Sequence, residues 1–108
     1  MAYEFIMKAN ELLKQIELKG APVIIDARSA TEFKRGHIPG AIHASALKIL
    51  LKTAHLPEGR NLELVIYCGH GPRAMIAKRL LALHGYRNMD LLKGHWKLWR
   101  NAGLPVEK

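Results

Sequence analysis

Short apolar runs alternate along the chain with longer amphipathic stretches, and their lengths separate strands from helices. PVIIDA, Pro22 to Ala27, is too short for a helix and rich in β-branched residues, so it reads as a buried strand. Leu62 to Tyr67 is the best candidate for a central strand. A brief strand is expected at Ala41 to His43, after a turn at Pro39-Gly40, and another at MDLL, residues 89–92. Helices fill the intervals. One runs from Glu11 to Leu18, with Asn10 as its N-cap and Gly20 in a left-handed cap past its end. A short one opens where Ser29 and Glu32 have the S-x-x-E spacing of a capping box. Others cover Ala46 to Lys52 and about Arg73 to His84, the latter closed by Gly85, and a last one starts near His95. No repeat, low-complexity tract or linker interrupts the series. Strand and helix in alternation predict an α/β fold, a mainly parallel sheet with helices on both faces.

Composition narrows the class. At 108 residues the chain has room for a single domain, 1–108, with one core. Its single cysteine cannot form an internal disulfide, and it leaves no resolving thiol for a two-cysteine redox cycle. No apolar segment approaches the roughly 20 residues that span a bilayer. The N-terminus MAYEFIMKANELLK lacks the charged-then-apolar order of a signal peptide, so a cytoplasmic location and no membrane partner are expected. Seventeen Lys and Arg against nine Asp and Glu give a formal charge of +8, which favours anionic partners. The basic residues come as singles and pairs, with no basic run or nucleic-acid module, so nucleic acid is not the expected partner.

The stretch LVIYCGHGPR concentrates the chemistry. A lone cysteine ending an apolar run is ordinarily a small buried hydrophobe. Here Gly69 and Gly71 allow a tight turn and close approach of a ligand, and Pro72 lies near the start of the next helix. Successive N–H groups in such a turn can converge on an anion, and the helix N-terminus adds donors and a favourable dipole. A Cys68 thiolate would be stabilised there, and Arg73 adds a permanent charge with a fork of donors suited to an oxyanion. Two chemistries share this plan. Phosphoryl transfer needs a loop wide enough for a tetrahedral phosphoryl group, whereas a persulfide needs room for one terminal sulfur.

Three segments together resemble one family. IIDARSATEFKRGHIPGAIHA, YCGHGPR and LLKGHWKLWRNAGLPVE are similar, in that order, to the three signatures of single-domain rhodaneses, the thiosulfate sulfurtransferases. The resemblance implies a rhodanese-like fold, with a five-stranded, mainly parallel sheet and helices on both faces, and a ping-pong cycle without metal or organic cofactor. Cys68 takes the outer sulfur of thiosulfate, with sulfite leaving, or the sulfur of another small anionic donor, and the persulfide passes its sulfur to cyanide or a thiol, including a protein thiol. Related phosphatases and arsenate reductases carry five residues between Cys and Arg. The four between Cys68 and Arg73 favour sulfur. A non-catalytic rhodanese-like protein-binding module is the alternative, though it has no chemical need of Cys68 and Arg73.

On this reading Cys68 is the catalytic residue, and Gly69, His70, Gly71, Pro72 and Arg73 form the substrate-binding loop. His70, at the outer part of the loop, is a spectator or gate, since displacement at sulfur demands no proton transfer. Asp26, Arg28 and Glu32 follow the first strand and are expected to support the loop as a capping and ion-pair group. His37 lies in the GHIPGA turn and reads as structural. Histidines 37, 43, 55, 70, 84 and 95 show no metal-ligand spacing, so no metal site is expected. Trp96 and Trp99, three apart, read as packing on one helix face. His95 departs from the family, where a second glycine commonly follows the position of Gly94.

Overall fold

The computed structural model describes residues 6–108. In chain order the elements are β1 (Ile6–Met7), α1 (Ala9–Glu17), β2 (Val23–Asp26), α2 (Ala30–Arg35), β3 (Ile42–His43), α3 (Ala46–Leu50), β4 (Leu64–Tyr67), α4 (Pro72–Leu83), β5 (Met89–Leu92) and α5 (His95–Asn101). The strands form one sheet in the order β1-β5-β4-β2-β3, and every neighbouring pair is parallel. The fold is therefore the expected α/β architecture, with all five strands parallel. An antiparallel bridge between His37 and Glu107 lies outside the sheet. The edge strand β1 is the one that no apolar run announces, because two residues are too short to carry a period.

Alternation along the strands sends side chains to two cores. Ile25, Leu64 and Ile66 pack with Ile49 of α3 and Ala74, Ala77 and Leu81 of α4. Ile24, Val65 and Tyr67 pack on the other side with Ala9 and Leu12 of α1 and Trp99 of α5. Helices thus cover both faces. The helix after β4 goes to one face and the helix after β5 to the other, so a crevice opens at the carboxyl ends of these strands, where ligands sit in open α/β sheets.

Several boundaries differ from the sequence expectation for local reasons. The N-cap of α1 is Lys8, in extended backbone and without a side-chain cap, because the helix begins early enough to bury Ala9 and Leu12. Asn10 lies inside the first turn. At the other end the left-handed residue is Lys19 (φ 59°), not Gly20. The Lys19 N–H donates to Ile16 O at 3.0 Å and the Gly20 N–H to Gln15 O at 2.9 Å, the paired bonds of a Schellman end shifted one residue upstream. The third helix stops at Leu50, with Lys52 turned left-handed (φ 60°). The central strand starts at Leu64, since Leu62 is exposed in the preceding turn. The capping box at Ser29 and Glu32 forms as read: Ser29 Oγ accepts from the Glu32 N–H at 3.2 Å, and Glu32 Oε1 from the Ser29 N–H at 3.0 Å.

Candidate active site

Strand β4 is buried along its whole length and delivers Cys68 to the crevice. The cysteine is itself fully buried and belongs to the core that Ile25, Ile66 and Ala74 also form. Its sulfur is not left apolar on all sides, because the Gly71 N–H donates to Cys68 Sγ at 3.0 Å. Gly71 holds φ 137°, a value that disfavours any side chain, and is the N-cap of α4. Pro72 occupies the first helical position, where its missing N–H costs nothing. No side chain caps this helix, so its first-turn amides remain as donors beside the cysteine. His70 and Pro72 form the exposed outer part of the loop.

Arg73 arches back over the loop. Its Nη2 lies 3.1 Å from where a Cβ on Gly69 would stand, so a side chain there would crowd the guanidinium. The guanidinium makes a forked pair with Glu32, Nη1 to Oε1 at 2.6 Å and Nη2 to Oε2 at 3.3 Å. The hydrogen bond from Arg73 is the main reason that the Glu32 carboxyl titrates at about 2. The same bond raises the Arg73 pKa, with a smaller push from the nearby Cys68. The capping box and the cysteine loop are thereby tied across 41 residues of sequence.

Asp26 and Arg28 lie deeper. Arg28 Nε and Nη2 donate to the two oxygens of Asp26 at 3.0 and 2.7 Å, and the Arg28 N–H adds a bond of 2.9 Å. Nη2 also donates to Gly36 O at 2.6 Å, and the guanidinium carbon stands 4.4 Å from the centre of the Trp96 ring. Burial works against the charge, but Asp26 outweighs it and leaves the Arg28 pKa raised. Tyr67 completes the group: its hydroxyl donates to Asp26 Oδ2 at 2.7 Å and accepts the Ile38 N–H at 3.0 Å. Burial pushes this phenol well up. His37 belongs to the same support. It stacks on Phe33 with ring centres 3.8 Å apart, its Nδ1 donating to Phe33 O at 2.8 Å. A cavity of about 310 Å³ beside this group is lined by Arg28, Glu32, Arg35, Gly36, Trp96 and Arg100.

The start of α5 closes the site from the other side. The Trp96 N–H donates to Cys68 O at 2.9 Å and the Lys97 N–H to Gly69 O at 3.2 Å. His95 is buried, left-handed (φ 52°), and accepts the Cys68 N–H on Nδ1 at 3.2 Å. The sequence reading placed neither Tyr67 nor His95 in the group around the loop. Tyr67 carried no local sign beyond ending a strand. His95 did carry one, a bulky residue where glycine is usual. Among the described residues, no helix is long and apolar enough to cross a membrane.

Comparison with known proteins finds relatives over most of the chain. Residues 8–102 match the rhodanese-like domain. The chain is 34% identical over 102 residues to the thiosulfate sulfurtransferase GlpE of Pseudomonas putida, covering 93% of this chain and 84% of that one. It is 31% identical over 84 residues to a sulfurtransferase of Allochromatium vinosum, covering 78% of this chain and 77% of the relative. Other curated relatives are longer: the chain spans 55% of an uncharacterized protein of Synechocystis. Among solved structures, the Alr3790 protein from Anabaena superposes with a TM-score of 0.81 at 26% identity, covering 94% of this chain and 81% of that chain.

Proposed function

The chain belongs to the rhodanese-like domain family, and we propose that it is a sulfurtransferase working through a persulfide on Cys68. The observation that carries this reading is the short N–H···S bond from Gly71 to a cysteine at the end of a buried strand, under a loop closed by an arginine. A backbone N–H suits a sulfur that bears negative charge, both as thiolate and as the terminal atom of a persulfide.

The Cys68 thiolate attacks the outer sulfur of thiosulfate. A new S–S bond forms, the bond to the sulfonate sulfur breaks, and sulfite leaves with the electron pair. Cyanide or a thiolate then attacks the terminal sulfur and regenerates the Cys68 thiolate. Charge is conserved in both steps, so no metal or redox partner is consumed. Arg73 supplies the fixed positive charge at the loop, shared in the resting site with Glu32. The first-turn amides of α4 face the anion, and Gly69, His70, Gly71 and Pro72 shape the passage to it. Asp26 and Arg28 act as support, through the anchored strand end and Tyr67. Arg35 and Arg100 of the neighbouring cavity favour a second substrate that is itself anionic.

A test is steady-state thiocyanate formation from thiosulfate and cyanide. Parallel double-reciprocal lines are expected for the parent, as in ping-pong kinetics, and no turnover for Cys68→Ser. A protein-binding module without turnover is the second reading, favoured by the complete burial of Cys68 and by an Arg73 already paired. Folded, reduced protein that transfers no sulfur from thiosulfate, mercaptopyruvate or polysulfide would decide for it.

A further inference from the structure

The start of α5 grips the cysteine loop at three consecutive residues, and only one of the three does so through a side chain. The grips of Trp96 and Lys97 use backbone N–H groups and would survive any ordinary substitution at those positions. The grip of His95 is its imidazole. Histidine holds this place in a left-handed backbone (φ 52°), directly after a left-handed Gly94 (φ 76°), where glycine would sit without strain. A strained, buried ring in such a position calls for a compensating contact. The contact present is Nδ1 against the backbone N–H of Cys68. The rest of the ring lies along the open face of Gly71, with Nε2 3.6 Å from where a Cβ on that glycine would stand. The imidazole therefore spans the loop from the cysteine amide to the glycine whose N–H meets the sulfur.

We propose that His95 is a positioning residue for Cys68: its neutral imidazole, protonated on Nε2, holds the peptide from which the reactive sulfur hangs. This rests on the reading of Cys68 as the sulfur-carrying residue. Because Nδ1 accepts, only the neutral ring can do this work. Protonation puts a second donor against the Cys68 N–H and breaks the tie. The charged group that acts on the ring is His70 from the loop. Burial first, and the charge of His70 second, lower the His95 pKa, so the tie is intact at neutral pH and lost only below the ordinary histidine value of 6.5.

Asparagine tolerates a left-handed backbone and can present a side-chain oxygen near the place of Nδ1, without titrating; glycine removes the acceptor and the strain together. The test follows the Cys68 amide by NMR in the parent, His95→Asn and His95→Gly. In the parent this amide is expected to titrate with the midpoint of the His95 ring, below 6.5. In the glycine variant its hydrogen exchange should quicken roughly tenfold. In the asparagine variant protection should return while the titration is gone. In sulfur transfer, the glycine variant should lose kcat roughly tenfold with KM for thiosulfate little changed, and asparagine should recover most of that loss. A Cys68 amide indifferent to pH and to the glycine substitution overturns the proposal, as does a glycine variant that turns over like the parent. Were the parent to show no turnover, the sulfurtransferase reading would fall, and the amide titration would still decide the role of His95.

Discussion

Two arginines lie close to the cysteine loop, each in a forked pair with a carboxylate, and they are held in opposite ways. Arg28 and Asp26 are 3% and 0% exposed, while Arg73 and Glu32 are 43% and 38% exposed. Arg28 is further engaged by Gly36 O and by the Trp96 ring, and Asp26 by the Tyr67 hydroxyl. No approaching anion can take Arg28 from Asp26 without leaving a buried carboxylate unpaired. Arg73 has water on one side and one carboxylate partner, so an anionic donor can compete for it at little cost. Similar chemistry is therefore locked into the architecture at Arg28 and left open to an incoming anion at Arg73, and burial is what decides between them.

Removing one partner of the deep pair is the largest perturbation. Asp26→Ala leaves a buried guanidinium with its main acceptor gone, and unfolding in urea should show a loss of about 3–5 kcal/mol. Tyr67→Phe comes next. It strips Asp26 of a donor and leaves the Ile38 N–H without its acceptor, at a cost of about 1–3 kcal/mol in the same measurement. The exposed pair should behave differently. Arg73→Met should move the unfolding free energy by no more than about 1 kcal/mol, yet raise the KM for thiosulfate roughly tenfold. Equal stability losses at Asp26 and Arg73 would erase the distinction.

The smallest effect belongs to Glu32, and it carries a pH signature. Its carboxyl titrates at about 2 in the fold, against an ordinary 4.5. The folded state thus favours the ionised form. The contribution of the pair is complete above pH 4.5 and drains away as pH falls towards 2. Because the pair is more than a third exposed, solvent screening keeps that contribution under about 1 kcal/mol. The stability difference between the parent and Glu32→Gln should be flat above pH 4.5 and shrink in acid.

What the sequence disclosed was what local spacing can carry. The four longer or better-bounded strands, the capping box and the cysteine loop each occupy a few consecutive residues, so composition and period describe them. The Ser29–Glu32 box is legible at three residues apart; that the same Glu32 also binds Arg73 depends on the sheet order, which sets β2 beside β4. Tyr67 reaches Asp26 across 41 residues and His95 reaches Cys68 across 27, distances that no local pattern encodes. The position of Asn10 misled for a related reason. A good capping side chain marks where a helix can begin, whereas burial of Ala9 and Leu12 set where it does begin.

The central claim is that Cys68, buried and met by the Gly71 N–H, accepts sulfur. The most direct test is the intact mass of the reduced protein before thiosulfate, after it, and again after cyanide, with Cys68→Ser alongside. The account predicts a gain of one sulfur atom by the parent alone, removed by cyanide with release of thiocyanate. An unchanged parent mass with thiosulfate, mercaptopyruvate and polysulfide, in protein whose fold is intact, would contradict it.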